Sequence, residues 1–190
     1  LFILNETENK IDYIDKQSSH NGYSKGLTDL AVTEIYKDRQ GNMWVATYNG
    51  LNFWNRQTKQ FKHFYFAGDD HASKPSNFVN DIIQDSKNNI WVGSQEGLLL
   101  LNKNTGTFKR YDTSMGLANN AITGIIEDEF SDLWLISTLG VSKFSPETTT
   151  FTNYDQRDGL SSSRYYEYSA KAADGTIFFA SRDGLHYFNP

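Results

Sequence analysis

Apolar runs of about five residues, each broken by Gly, Asn or Asp, set the pattern of this chain. The stretch 79–111 shows it: "VNDIIQ" at 79–84, "IWVGS" at 90–94, "LLLLN" at 98–102 and "TFKRY" at 107–111. These runs are rich in Val, Ile, Phe, Tyr and Trp and are separated by turn residues, which predicts four short β-strands. No ten-residue stretch sustains a 3.6-residue period without a Gly or Asn-Gly interruption, so no helix is predicted. The first strand of each group is apolar on both faces. Val79, Ile82 and Ile83 show this, as do Ile122, Ile125 and Ile126. A sheet covered on one side alternates apolar and polar residues, whereas these strands must be covered on both.

The group of four strands recurs. Trp44, Trp91, Trp134 and Phe178 form one column, spaced by 47, 43 and 44 residues. Gly50, Gly97, Gly140 and Gly184 follow six positions later at the same spacings, each trailed by an apolar residue. Asp38, Asp85 and Asp128 stand six positions before the aromatic, where the fourth copy has Ala172. Phe61, Phe108 and Phe151 make a further column, and Phe64, Tyr111 and Tyr154 another. Four-stranded units covered on both faces, with a period of this length, predict sheets stacked around an axis: an all-β β-propeller. The aromatic fills the space between sheets. The Asp binds turn amides ahead of the second strand, and the Gly supplies a positive φ or a close approach. Residues 1–14 read as the last two strands of a preceding blade. Blades follow at 28–66, 76–112 and 117–155, and a final blade at 160–190 lacks its outermost strand.

Composition narrows the role. A net charge of −5 argues against nucleic-acid binding, which calls for a basic face, and against a polybasic membrane-surface domain. No apolar run is long enough to cross a bilayer. The absence of Cys excludes a disulfide framework and any thiolate metal site. The opening "LFILN" reads as a strand already in progress, so the chain is expected to be a piece of a longer protein. About four blades would leave flat apolar sheets at both ends, and self-association is expected there.

The pattern "V..I..D..GNMWVAT..GL..W....Q.F..F" over 32–64, with copies at 79–111 and 122–154, resembles the two-component regulator propeller repeat. This resemblance covers nearly the whole chain. It implies a segment of a seven-bladed ring in the periplasmic sensor region of a bacterial transmembrane receptor, with a histidine kinase as output in the parent protein or, in some members, a diguanylate cyclase. It further implies ligand sensing, with an oligosaccharide as the expected ligand, and no enzymatic activity in this segment. Two other readings stay open: a protein-interaction propeller without a small ligand, and a propeller lyase.

Loops leading from an outer strand to the next inner strand share a propeller face with the turns between second and third strands. The first set comprises 65–76, 112–120 and 155–163. Near the starts of the inner strands, Asn77, Asn80, Asn119, Asn120, Arg164, Tyr165 and Tyr166 are the candidate ligand contacts. Amides, a guanidinium and aromatic faces bind sugars by hydrogen bonding and ring stacking. Tyr48 and Arg182 belong to the second set of turns. The long loop 65–76 carries Asp69, Asp70 and His71, which could contact a ligand or metal or simply be solvated. No cofactor or metal is expected. His20, His63, His71 and His186 share no ligand spacing, and no nucleophile or phosphate-loop motif occurs.

Overall fold

The computed structural model describes residues 2–5, 10–13, 23–24, 26–66, 77–161 and 164–190. Among them there is no α-helix, only strands and two single-turn 3-10 helices at Thr113–Met115 and Gln156–Asp158. A hairpin of β1 (Phe2–Asn5) and β2 (Lys10–Tyr13) opens the chain, followed by the two-residue β3 (Tyr23–Ser24). The first blade holds β4 (Val32–Lys37), β5 (Met43–Thr47), β6 (Gly50–Asn55) and β7 (Gln60–Phe64). The second holds β8 (Val79–Gln84), β9 (Ile90–Ser94), β10 (Gly97–Leu101) and β11 (Phe108–Tyr111). The third holds β12 (Ile122–Glu127), β13 (Leu133–Ser137), β14 (Gly140–Ser145) and β15 (Thr150–Tyr154). The last has three strands: β16 (Tyr165–Lys171), β17 (Ile177–Ser181) and β18 (Gly184–Phe188). Within each blade these strands form an antiparallel meander. One feature was not expected from the pattern: β3 pairs with β7, so the first sheet has five strands.

Each blade presents its tryptophan face to the blade that follows. Trp44, Ala46, Leu51 and Phe64 pack on Val79, Ile82, Ile90, Val92 and Leu99 of the second blade. One blade on, Trp91, Leu98 and Tyr111 pack on Ile122, Ile125, Leu133 and Phe144. Next, Trp134, Ile136 and Val141 pack on Tyr165, Ile177 and Phe179. This stacking explains why the inner strands carry apolar residues on both faces. Each inner strand also has an irregular register, between Val32 and Glu34, Val79 and Asp81, Ile122 and Gly124, and Tyr165 and Ser169. Such bulges turn side chains out of the pleat. Two of these residues reach the next blade: Thr33 Oγ1 donates to Val79 O (2.6 Å) and Asn80 Nδ2 to Ile122 O (2.6 Å).

The turn aspartates do more than bind turn amides. Asp38, Asp85 and Asp128 accept at Oδ1 from the backbone N–H four residues on, at 2.8, 2.8 and 3.0 Å. At Oδ2 each accepts the indole N–H of its own tryptophan, at 3.1, 2.7 and 2.8 Å. The buried indole donor and the buried carboxylate therefore satisfy each other, as burial requires. The turn glycines adopt positive φ, +114° at Gly50, +119° at Gly97 and +154° at Gly140. A Cβ at these positions would lie 2.9, 2.4 or 2.7 Å from the carbonyl oxygen of Phe64, Tyr111 or Tyr154. The close approach is thus to the outermost strand of the same blade, rather than to the neighbouring sheet.

The two end faces are open. Val32 and Ile35 of the first blade are 36% and 44% exposed, while their counterparts Val79, Ile82, Ile122 and Ile125 are buried. On the last blade Leu185 and Tyr187 are exposed. Both faces are therefore of the kind that neighbouring blades cover elsewhere in the chain.

Candidate functional site

The second-to-third strand turns are held by a column of buried hydroxyls that the pattern had not revealed. Thr47, Ser94, Ser137 and Ser181 each donate to the carbonyl three residues on, at 2.9, 2.8, 3.0 and 3.3 Å. The same oxygen accepts the N–H two residues on. The signal lay in a hydroxyl three residues after the aromatic in every copy. On the same propeller face, Asp112 and Asp155 cap the two 3-10 turns. Asp112 Oδ1 accepts from Ser114 N (2.9 Å) and Asp155 Oδ1 from Arg157 N (2.8 Å). Hydrogen bonds from Ser114 and from Arg157, respectively, hold these two carboxyls below the usual carboxylate range. Gly116 and Gly159 then turn the chain with φ of +105° and +96°, which directs Leu117 and Leu160 into the core.

On this rigid frame most of the sequence-selected side chains have structural partners. Asn77 is buried; its Oδ1 accepts from Phe66 N (2.9 Å), and its carbonyl accepts from Gly50 N (2.8 Å). Asn80 is the bulge residue that ties β8 to β12. Asn119 caps its own turn through Ala121 N (2.7 Å), and Asn120 accepts from Thr113 N (2.9 Å). Tyr165, a candidate ligand contact, lies in the core instead. It is 2% exposed, occupies the core slot that Val79 and Ile122 fill in earlier blades, and donates to Ser161 O (2.7 Å). Arg164 and Tyr166 are exposed on the loop face. Asp69, Asp70 and His71 lie outside the described residues.

The loop face carries one aromatic pair that the sequence reading only half found. Tyr48, 53% exposed in the β5–β6 turn, lies against Phe78 with ring centroids 4.2 Å apart. Asn49 and Asn77, the chain neighbours of the two rings, approach to 3.5 Å. Phe78 stands where Ala31 and Ala121 stand in the first and third blades, and Arg164 takes that place in the last. A bulky or charged residue replacing Ala in a repeated position was the available signal, because the blade itself needs only a small residue there. Tyr48 N donates to Ala31 O (3.1 Å) and Arg182 N to Arg164 O (2.9 Å), so the same backbone contact fixes Tyr48 and Arg182 in their blades.

The two described histidines, His63 and His186, pack. His63 Nδ1 lies 2.8 Å from Asn52 Oδ1 in a buried network with Thr28 and Thr47, and burial pulls its pKa down. His186 Nε2 lies 3.1 Å from both Ser181 and Ser161, stacked on Phe179. Among the described residues no three His, Asp or Glu side chains gather into a metal-binding group.

Stacked four-stranded meanders joined by inter-blade contacts define a β-propeller segment. Residues 26–49 and 73–96 match the family model of the two-component regulator propeller. No curated protein matches the chain. Among solved structures it is similar to the extracellular domain of a protein from B. thetaiotaomicron described as a hybrid two component system. That match has 25% identity and a TM-score of 0.76, over 86% of this chain and 22% of the other. A second extracellular domain of that description, from the same organism, matches at 21% identity and a TM-score of 0.78, over 96% and 25% of the two chains. A streptogramin B lyase shares the fold at 18% identity and a TM-score of 0.64, over 86% and 56%. This chain thus spans about a quarter of the two extracellular domains. No helix among the described residues is long and apolar enough to cross a membrane.

Proposed function

We propose that this chain is a ligand-sensing propeller segment from the extracytoplasmic part of a bacterial transmembrane receptor, and that its ligand is an oligosaccharide. The observation that carries the ligand class is the Tyr48–Phe78 pair on the loop face, an exposed tyrosine ring set on a half-buried phenylalanine with Asn49 beside it. An aromatic platform beside amides suits a sugar ring, whose apolar C–H face stacks while its hydroxyls hydrogen-bond. The similarity to extracellular domains of hybrid two component systems supports the sensor role. Arg164 and Tyr166, exposed on the last blade, are further candidate contacts.

The test is a glycan panel titrated against the chain by calorimetry, followed by Tyr48→Ala and Phe78→Ala. One glycan is expected to bind saturably. Tyr48→Ala is expected to weaken it about five- to tenfold, as loss of an aromatic stack of about 1–1.5 kcal/mol predicts. The melting temperature of Tyr48→Ala should hardly change, because the ring is half in solvent. Silence across the panel, or unaltered affinity in Tyr48→Ala, would reject the platform and favour a protein-interaction surface.

A further inference from the structure

The loop face changes character at the last blade. The first and second strands of the blades reach this face through the pairs Val32–Thr47, Val79–Ser94, Ile122–Ser137 and Tyr165–Ser181. One step further along each ladder stand Ala31 and Tyr48, Phe78 and Gln95, Ala121 and Thr138, and finally Arg164 and Arg182. The bond from Arg182 N to Arg164 O (2.9 Å) is the counterpart of that from Tyr48 N to Ala31 O (3.1 Å), so the last two residues are opposed across the ladder as the first two are. Residues directly opposite on an antiparallel pair hold their Cβ atoms about 5 Å apart on one face. Three blades therefore set an uncharged residue against an uncharged one, and the last sets a guanidinium against a guanidinium.

Like charges directly opposite on a strand pair repel, and this chain has carboxylates to spare, with a net charge of −5. The other two arginines at this face are partnered. Arg157 donates to Asp155 Oδ2 from Nε (3.1 Å) and from Nη2 (2.7 Å), and Arg110 Nη1 lies 3.6 Å from Glu96 Oε2. Arg164 and Arg182 are both exposed, and among the described residues neither forms an ion pair. Asp183, next in the chain to Arg182, is not drawn to them; its backbone N–H binds Ser181 Oγ (3.2 Å) and holds the turn. The backbone under the two arginines is fixed from below, since Tyr165 and Ser181 are 2% and 7% exposed. The pair is thus a rigidly based double cation on the face that carries the Tyr48–Phe78 platform.

We infer that the ligand is an acidic oligosaccharide, and that Arg164 and Arg182 together bind a carboxylate or sulfate group that it carries. This rests on the reading of the loop face as an oligosaccharide-sensing surface. An oxyanion set between the two side chains accepts hydrogen bonds from both guanidinium forks and cancels their repulsion. The two parts of the face then divide the recognition. The aromatic pair between the first and second blades stacks on a sugar ring, and the arginine pair of the last blade reads charge. A neutral glycan leaves the two cations opposed and unpaired, so the arginines select against it as well as for its acidic counterpart.

Calorimetric titration of the chain with matched ligands tests this: uronate oligosaccharides with their carboxyl-reduced forms, and sulfated oligosaccharides with their desulfated forms. One acidic ligand is expected to bind saturably, about tenfold or more tighter than its neutral counterpart. Which of the two series responds tells carboxylate from sulfate. Arg164→Gln and Arg182→Gln should each weaken that ligand about tenfold. Arg164→Lys, which keeps the charge and loses the fork, should weaken it too. None of the three should lower the melting temperature, because the side chains are exposed and the glutamines relieve a like-charge contact. Equal affinity for acidic and neutral forms overturns the inference, as do silence from both series and acidic-ligand binding indifferent to the arginine variants. Tighter binding of a neutral form, lost in Tyr48→Ala, overturns it and leaves the aromatic platform standing. Acidic-ligand binding lost in the arginine variants but unaltered in Tyr48→Ala upholds it and rejects the platform.

Discussion

Trp91→Ala is expected to lower the unfolding free energy by about 3–5 kcal/mol, whereas Phe178→Ala is expected to cost about 1 kcal/mol or less. Both residues occupy the same column, so the contrast isolates what the column does. Trp91 is 1% exposed and lies between the second and third blades, with Tyr111 and Phe144 at 5.8 and 5.7 Å. Its removal leaves a cavity that two sheets cannot close without breaking register. It also leaves Asp85, buried in the turn, without the indole donor at 2.7 Å. Phe178 is only partly buried, faces the open side of the last blade, and has no turn aspartate to leave unpaired. Urea unfolding of the two variants against wild type measures the difference. Equal costs would contradict the stacked-blade account of the tryptophan column.

The architecture was legible because each blade must solve the same packing problem. A side chain that fills the gap between sheets, a turn that enters the second strand and a glycine under the fourth strand recur at one period, and recurrence separates them from chance. The second blade's strands fall within a residue of where the apolar runs put them. What the pattern could not convey was which residue served which partner. The Asp column and the Trp column looked like two separate requirements, but the indole–carboxylate bond makes them one. The last blade confirms the coupling, since it lacks both: Ala172 replaces the Asp and Phe178, with no N–H to satisfy, replaces the Trp. The two-residue β3 was not legible because a strand that short has no periodicity.

The site was less legible for a physical reason. Asn77, Asn119 and Asn120 were selected for the hydrogen-bonding chemistry of their amides, and that same chemistry satisfies backbone groups where strands begin. Amide chemistry alone therefore cannot separate a ligand contact from a cap. Tyr165 was chosen for its ring, which the blade also wanted in the core. Positions where one blade breaks the repeat, such as Phe78 and Arg164 in an otherwise Ala column, carry more information.

Stability is expected to rise on acidification from neutral pH to about pH 4.5, by about 2 kcal/mol, before falling at lower pH. The source is Asp81, at the bulge of the second blade's inner strand. Its Oδ2 accepts from Ile125 N of the third blade (2.6 Å) and its Oδ1 from Ile82 N (2.7 Å). Burial outweighs these two bonds, and the like charge of Glu34 adds to it, so the pKa is pushed up from 3.8 to about 6. Above both values the folded chain keeps a buried charge that the unfolded chain would solvate. Between them only the folded chain holds the proton, so the penalty is relieved as pH falls from about 6 to about 4. Glu34, itself raised chiefly by burial, acts in the same direction. The exposed carboxyls of Asp112, Asp155 and Asp174 are shifted downward and act oppositely, losing their stabilisation only as pH falls below the ordinary carboxylate range. Urea unfolding at pH 4.5 and 7.5 measures the slope. Asp81→Asn should flatten it, and Glu34→Gln should move its upper end to lower pH by removing the neighbouring charge. A wild-type chain equally stable at both pH values, or an Asp81→Asn variant with the full slope, would place the titration elsewhere. Because Asp81 bonds across the seam between two blades, the proton that relieves it binds at a contact that holds the stack together.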